Sequence, residues 1–89
     1  MTQYEKLKLL KLELQRSGFS APDELLSYYL ALAEDDLVSI HPSDEKSRRV
    51  VQYASWMYKT RNVLDYSMPM PRNLERWLNN MAWRQAKND

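Results

Sequence analysis

One histidine, His41, and no cysteine leave little material for nucleophilic or metal chemistry. A general base at His41 would need an orienting acid and a nucleophile beside it. The histidine instead stands in "SIHPSDEKS", directly before Pro42, in a stretch that reads as a link between helices. Carboxylates come in runs, Glu34-Asp35-Asp36 and Asp44-Glu45. Consecutive helical positions point about 100° apart and do not converge on one ion, so the runs read as solvated faces. No glycine-rich phosphate loop, H-E-x-x-H or G-x-S-x-G occurs. The chain is read as a non-enzyme, with no catalytic residue, metal site or cofactor site.

Nucleic-acid binding is the second chemistry to weigh. "EKSRRVV" and "YKTR" place Lys46, Arg48, Arg49, Lys59 and Arg61 at the two ends of one run, and a small helix-turn-helix reader of DNA would suit a short all-α chain. The middle of that run is apolar (Val50, Val51, Tyr53, Ala54, Trp56, Met57, Tyr58), and the pI near 8.0 is low for a dedicated DNA binder. This reading is kept as the alternative.

These side chains must be positioned by a domain of 89 residues, which is one domain. A hydrophobic fraction of 44 % argues for a packed core. A chain this short retains only about 5 kcal/mol of stability, so a partner would firm it. The charged N-terminus "MTQYEKLKLL" has no signal-peptide core, and no apolar run is long enough to span a membrane. Together with the missing cysteines, this points to a soluble protein made in a reducing interior. Residues 1–45 hold four basic side chains against nine acidic ones, a net −5, and residues 46–89 hold nine against three, a net +6. The division is read either as two solvated faces or as opposed surfaces for head-to-tail assembly.

The only glycine is Gly18, and Asn-Gly turns are absent, so hairpins are not expected. Helical spacing predicts a first helix with the stripe Tyr4, Leu7, Leu10 and Leu14, widened by Leu9 and Leu12 and capped at Gly18. A second helix is expected from Ala21 to Ile40, opened by a Ser20–Asp23 capping box. Its wide apolar arc (Leu26, Tyr29, Leu30, Ala33, Leu37 and Ile40, broadened by Leu25, Tyr28 and Leu32) marks it as central. A third is expected from Asp44 to Asn62, capped by Ser43 or Asp44. After the link "NVLDYSMPMP", a fourth begins at Pro71 with Leu74, Trp77, Leu78 and Met81 as its stripe. Residues 84–89 read as a flexible tail. The expected fold is a single all-α domain of about four helices.

With these elements placed, "VVQYASWMYKTRNVLDYSMPMPRNLERWL" resembles the C-terminal half of the head–tail connector proteins of tailed bacteriophages, also called adaptor or head-completion proteins. In that family a helix ends in an aromatic–Tyr–Glu–Asn–Arg pattern, followed by a link, Leu-Pro and a final amphipathic helix. Here Tyr58-Lys59-Thr60-Arg61 stands at the first element, with Lys59-Thr60 replacing Glu-Asn. Met70-Pro71 with Leu74 and Leu78 stands at the second, and "DELLSYYLALAEDDLVSI" looks like the family's second helix.

The resemblance implies a structural virion protein, made in the host bacterial cytoplasm and located at the head–tail interface. It would dock as a ring, commonly of twelve copies, onto the portal protein, extend the DNA channel and receive a downstream head-completion or tail protein. Alone it would be monomeric or weakly associated, with DNA passing through the channel unbound and no membrane involved. Tyr58, Arg61, Trp83, Arg84 and Lys87 are the expected subunit or portal contacts.

Overall fold

The computed structural model describes the backbone of residues 1–62 and 69–88, and the side chains of residues 1–61 and 69–81. Its helices are α1 (Gln3–Arg16), α2 (Asp23–Asp36), α3 (Asp44–Asn62) and α4 (Arg72–Asn88). No strand occurs among the described residues. The fold is a small all-α domain. Most of the link between α3 and α4, residues 63–68, lies outside the described residues.

α1 opens with a capping box. The Thr2 hydroxyl accepts the Glu5 N–H at 3.1 Å, and the Glu5 carboxylate accepts the Thr2 N–H at 3.1 Å. The bond from the Thr2 backbone N–H foremost, and the Thr2 hydroxyl beside it, hold the Glu5 carboxyl below its usual value. The helix closes at Gly18, which takes φ +81°. Its N–H donates to the Gln15 carbonyl at 3.0 Å, and the Phe19 N–H reaches back to the Leu14 carbonyl at 2.9 Å. This is the Schellman arrangement, and the sign of φ is what requires glycine here.

α2 is shorter than the expected Ala21–Ile40. Pro22 disfavours helical backbone at Ala21, and it serves as the N-cap itself, without any side-chain cap bond. The Ser20–Asp23 box therefore does not form. The Pro22 carbonyl instead accepts the N–H groups of Leu25 and Leu26 at 3.1 and 3.2 Å. Asp23 and Glu24 complement the positive end of the helix dipole. Beyond Asp36 the chain continues in tight turns, with the Ile40 N–H on the Leu37 carbonyl at 3.0 Å. These turns keep Leu37 and Ile40 in the core.

α3 has the bounds its spacing predicts. The Ser43 hydroxyl accepts the Lys46 N–H at 3.0 Å, and the Lys46 ammonium donates to the Ile40 carbonyl at 2.7 Å, fastening the α2–α3 link. α4 starts one residue after Pro71, whose carbonyl accepts the Glu75 N–H at 3.0 Å. With no glycine or proline to stop it, the helix continues past Arg84 to Asn88.

α2 is central, packed against both α1 and α3, and α3 in turn carries α4. Leu10, Leu26, Leu30, Val50, Ala54 and Leu74 are almost wholly shielded from water. Both Val50 and Val51 are buried, because α3 is covered on several sides. The stripe on α1 is narrower than its sequence suggests. Leu10 and Leu14 are buried and Leu7 is partly so, but Tyr4 is 73 % exposed and Leu9 and Leu12 face water. α1 lies at the edge, so its far side has no helix to cover it. Its near flank is tied to α2 by Lys6–Glu34 and by Lys11–Asp23 at 2.6 Å.

Candidate interaction surfaces

Four aromatic residues form a connected string. Phe19 meets Tyr58 edge-on at 6.1 Å between centroids, Tyr58 meets Tyr29 at 5.9 Å, and Tyr29 meets Tyr28 at 5.5 Å. Each contact places the positive edge of one ring against the negative face of the next. Three of the rings belong to the interior, while Tyr28, expected to broaden the apolar arc of α2 with Leu25 and Leu32, is 55 % exposed, because no helix among the described residues covers that side of α2. The string therefore runs from under the α1–α2 link to the outer surface of α2.

Two of the expected contact residues converge on this string. Tyr58 is buried in it, which withdraws its side chain from a neighbour's reach. Arg61, at the end of α3, sets its guanidinium 5.8 Å from the Tyr29 centroid and is otherwise exposed. Its contact within the fold is thus a cation–π one that ties the end of α3 to α2. The backbone at Trp83, Arg84 and Lys87 belongs to α4, but their side chains lie outside the described residues. Trp77 is core, as its stripe predicts. Its indole N–H is shielded and has no hydrogen-bond partner among the described residues.

A second link joins α2 to α3. The Tyr53 hydroxyl donates to the Asp36 carboxylate at 3.0 Å, and Trp56 packs edge-on against Tyr53 at 5.9 Å. Partial burial pushes the Tyr53 phenol above its ordinary value. The bond to Asp36 and that residue's charge add to the rise, and Arg61 opposes it.

Sequence spacing centred on the core passes over the outer faces. Tyr28, Ala31 and Leu32 of α2, with Val38 of the turn that follows it, line an open groove of about 500 Å³ with Glu34 and Asp35. On α4, Arg72, Glu75, Arg76, Asn79 and Asn80 line a polar depression of about 470 Å³. A third hollow, about 330 Å³, lies where Leu9 and Glu13 of α1 face Arg48, Val51 and Gln52 of α3 and Asn73 of α4. There Gln52 donates to Asn73 at 2.9 Å. The signal for the α2 face is present in the sequence. Glu24, Tyr28, Ala31, Asp35 and Val38 recur at i, i+4, i+7, i+11 and i+14, a second stripe opposite the core.

No three His, Cys, Asp or Glu side chains gather to hold a metal among the described residues. His41 is exposed. No helix among them is long and apolar enough to cross a membrane.

No family model matches the chain, and neither a curated protein nor a solved structure matches it.

Proposed function

We propose that this chain is a structural subunit of the phage head–tail connector class, docking as a ring on the portal vertex, continuing the DNA channel and offering a platform to a tail-side protein. The observation that carries the reading is the distribution of its outward side chains. α3 packs against the other three helices, while the outward charges of α2 are acidic and those of α4 are mainly basic (Arg72 and Arg76 against Glu75), with Tyr28 exposed on α2 and Val38 in the turn after it. Tyr28 and Val38, at 55 % and 72 % exposure, line one groove with Ala31 and Leu32, an apolar surface that a protein partner would cover. The order of elements and the Tyr58…Arg61, Met70-Pro71 pattern supply the family to which such a subunit would belong.

The helix-turn-helix alternative is less well supported. A recognition helix presents its N-terminal residues to base edges. The exposed residues opening α3 are Asp44 and Glu45, whose charge repels phosphate. Arg49 is engaged with Gln52 at 2.9 Å.

The experiment that separates the readings mixes the protein with the portal protein of its own genome and, separately, with duplex DNA at physiological salt. Co-sedimentation with portal and no sequence-selective DNA complex supports the connector reading. A site-specific complex at about 10⁻⁸ M, the usual range for specific binders, with no portal association, overturns it.

A further inference from the structure

We propose that the outer face of α2 is a docking surface for the outer face of α4 on a second copy of this chain. The inference rests on the reading of the protein as an assembling subunit, and it names the two surfaces that meet.

α2 carries five acidic side chains (Asp23, Glu24, Glu34, Asp35, Asp36) and no basic one. Three of them are engaged within the fold. Asp23 pairs with Lys11, Glu34 with Lys6, and Asp36 accepts the Tyr53 hydroxyl. Glu24 and Asp35 are exposed and have no ion-pair partner among the described residues. They share a sequence spacing with Tyr28 and Ala31 on α2 and with Val38 in the turn that follows it. The groove lined by Tyr28, Ala31, Leu32 and Val38 holds the unpaired Asp35 beside Glu34, and Glu24 stands one helical turn before Tyr28, outside that groove. A spacing of i, i+4, i+7 and i+11 is the pattern by which one helix receives another.

The complementary surface is on the same chain. α4 places Arg72, Arg76 and Asn79 at i, i+4 and i+7, all exposed, and neither arginine has an ion-pair partner among the described residues. The exposed Glu75 lies in the same depression, so the described part of this face carries two positive charges against one negative. In the sequence the same spacing continues to Trp83. Arginine suits this contact, since its stem covers apolar surface while its guanidinium takes a carboxylate or lies on a tyrosine ring.

One molecule does not satisfy itself. α4 packs on α3 alone and makes no contact with α2 among the described residues. The acidic stripe and the basic stripe both face outward, on different helices. A contact between unlike patches of identical chains is heterologous, and it leaves each subunit with one free patch of each kind. Repetition therefore closes a ring or extends a filament.

The test uses the full chain with two pairs of surface substitutions. Glu24→Lys with Asp35→Lys reverses the acidic stripe, and Arg72→Glu with Arg76→Glu reverses the basic one. Circular dichroism establishes that each variant keeps its helices. Self-association is then measured by sedimentation equilibrium at low ionic strength and about 0.1–1 mM protein, the range in which weak contacts are read. The wild type should associate, and each variant alone should do so at least about tenfold more weakly, because like charges then face each other. An equimolar mixture of the two variants should recover wild-type association within about threefold, since every K-bearing α2 meets an E-bearing α4 and the reverse. Added salt should weaken both the wild type and the mixture. Variants that associate as the wild type does, or a mixture that stays dissociated, overturn the assigned surfaces while leaving portal docking intact. A wild type that does not associate at all also overturns them. The connector reading itself then stands or falls on the portal co-sedimentation.

Discussion

The Arg61 guanidinium lies 5.8 Å from the centroid of the Tyr29 ring, and through it the end of α3 is held to the middle of α2. Tyr29 is also the ring on which Tyr58 and Tyr28 converge. One buried tyrosine therefore connects the helix end that precedes the α3–α4 link with the exposed α2 surface.

For an exposed cation on a ring, Arg61→Ala should cost about 0.5–1 kcal/mol. A double-mutant cycle with Tyr29→Leu, read by urea unfolding, should return a coupling of that size. Coupling indistinguishable from zero would show that the guanidinium contributes nothing through the ring.

Leu30 is fully shielded at the centre of α2. Leu30→Ala should destabilise the protein by about 2–5 kcal/mol, enough to unfold much of so small a domain. A loss below about 0.5 kcal/mol, the scale of ordinary surface substitutions, would contradict the packing described.

The Tyr53 phenol has its pKa raised above its ordinary value of 10.0 by partial burial and by Asp36. A group that holds its proton more tightly when folded contributes stability that is complete below its unfolded pKa. That contribution is lost as pH rises through the folded value. Stability should therefore fall more steeply above about pH 10 in the wild type than in Tyr53→Phe, and Asp36→Asn should flatten the wild-type fall. Parallel curves for all three would sink the assignment.

Truncation after Met81 removes Trp83, Arg84 and Lys87 while leaving Leu74, Trp77 and the rest of the described core in place. Helical content per residue should change little, and attachment to the portal should weaken. A truncated protein that attaches with full affinity would assign these residues no part in docking.

Much of the fold is legible in the sequence because its strongest signals are local. A lone glycine after "LQRS" takes the positive φ that only glycine adopts cheaply, and Ser43 caps α3 at the expected place. Other features depend on which side of a helix has a neighbour. Tyr4, Leu9 and Leu12 fit an apolar stripe, yet α1 is covered along one side alone and leaves them in water. Pro22 overrides the Ser20 signal by taking the N-cap position itself, so that α2 begins at Asp23. The Thr2–Glu5 box is an ordinary T-x-x-E signature that becomes visible once the start of α1 is known. Of the expected contact residues, Tyr58 turns inward and Arg61 finds Tyr29, a partner no spacing rule names because it lies on another helix. Tyr28 fits both the broad apolar arc of α2 and its outer stripe, and only the placement of the neighbouring helices decides that it faces outward.

Electron microscopy of the protein mixed with its genome's portal protein tests the central claim most directly. The connector reading predicts an added ring of density on one end of the portal, coaxial with its channel and with one copy of this chain per portal subunit. Portal particles unchanged by a large excess of the protein would contradict it.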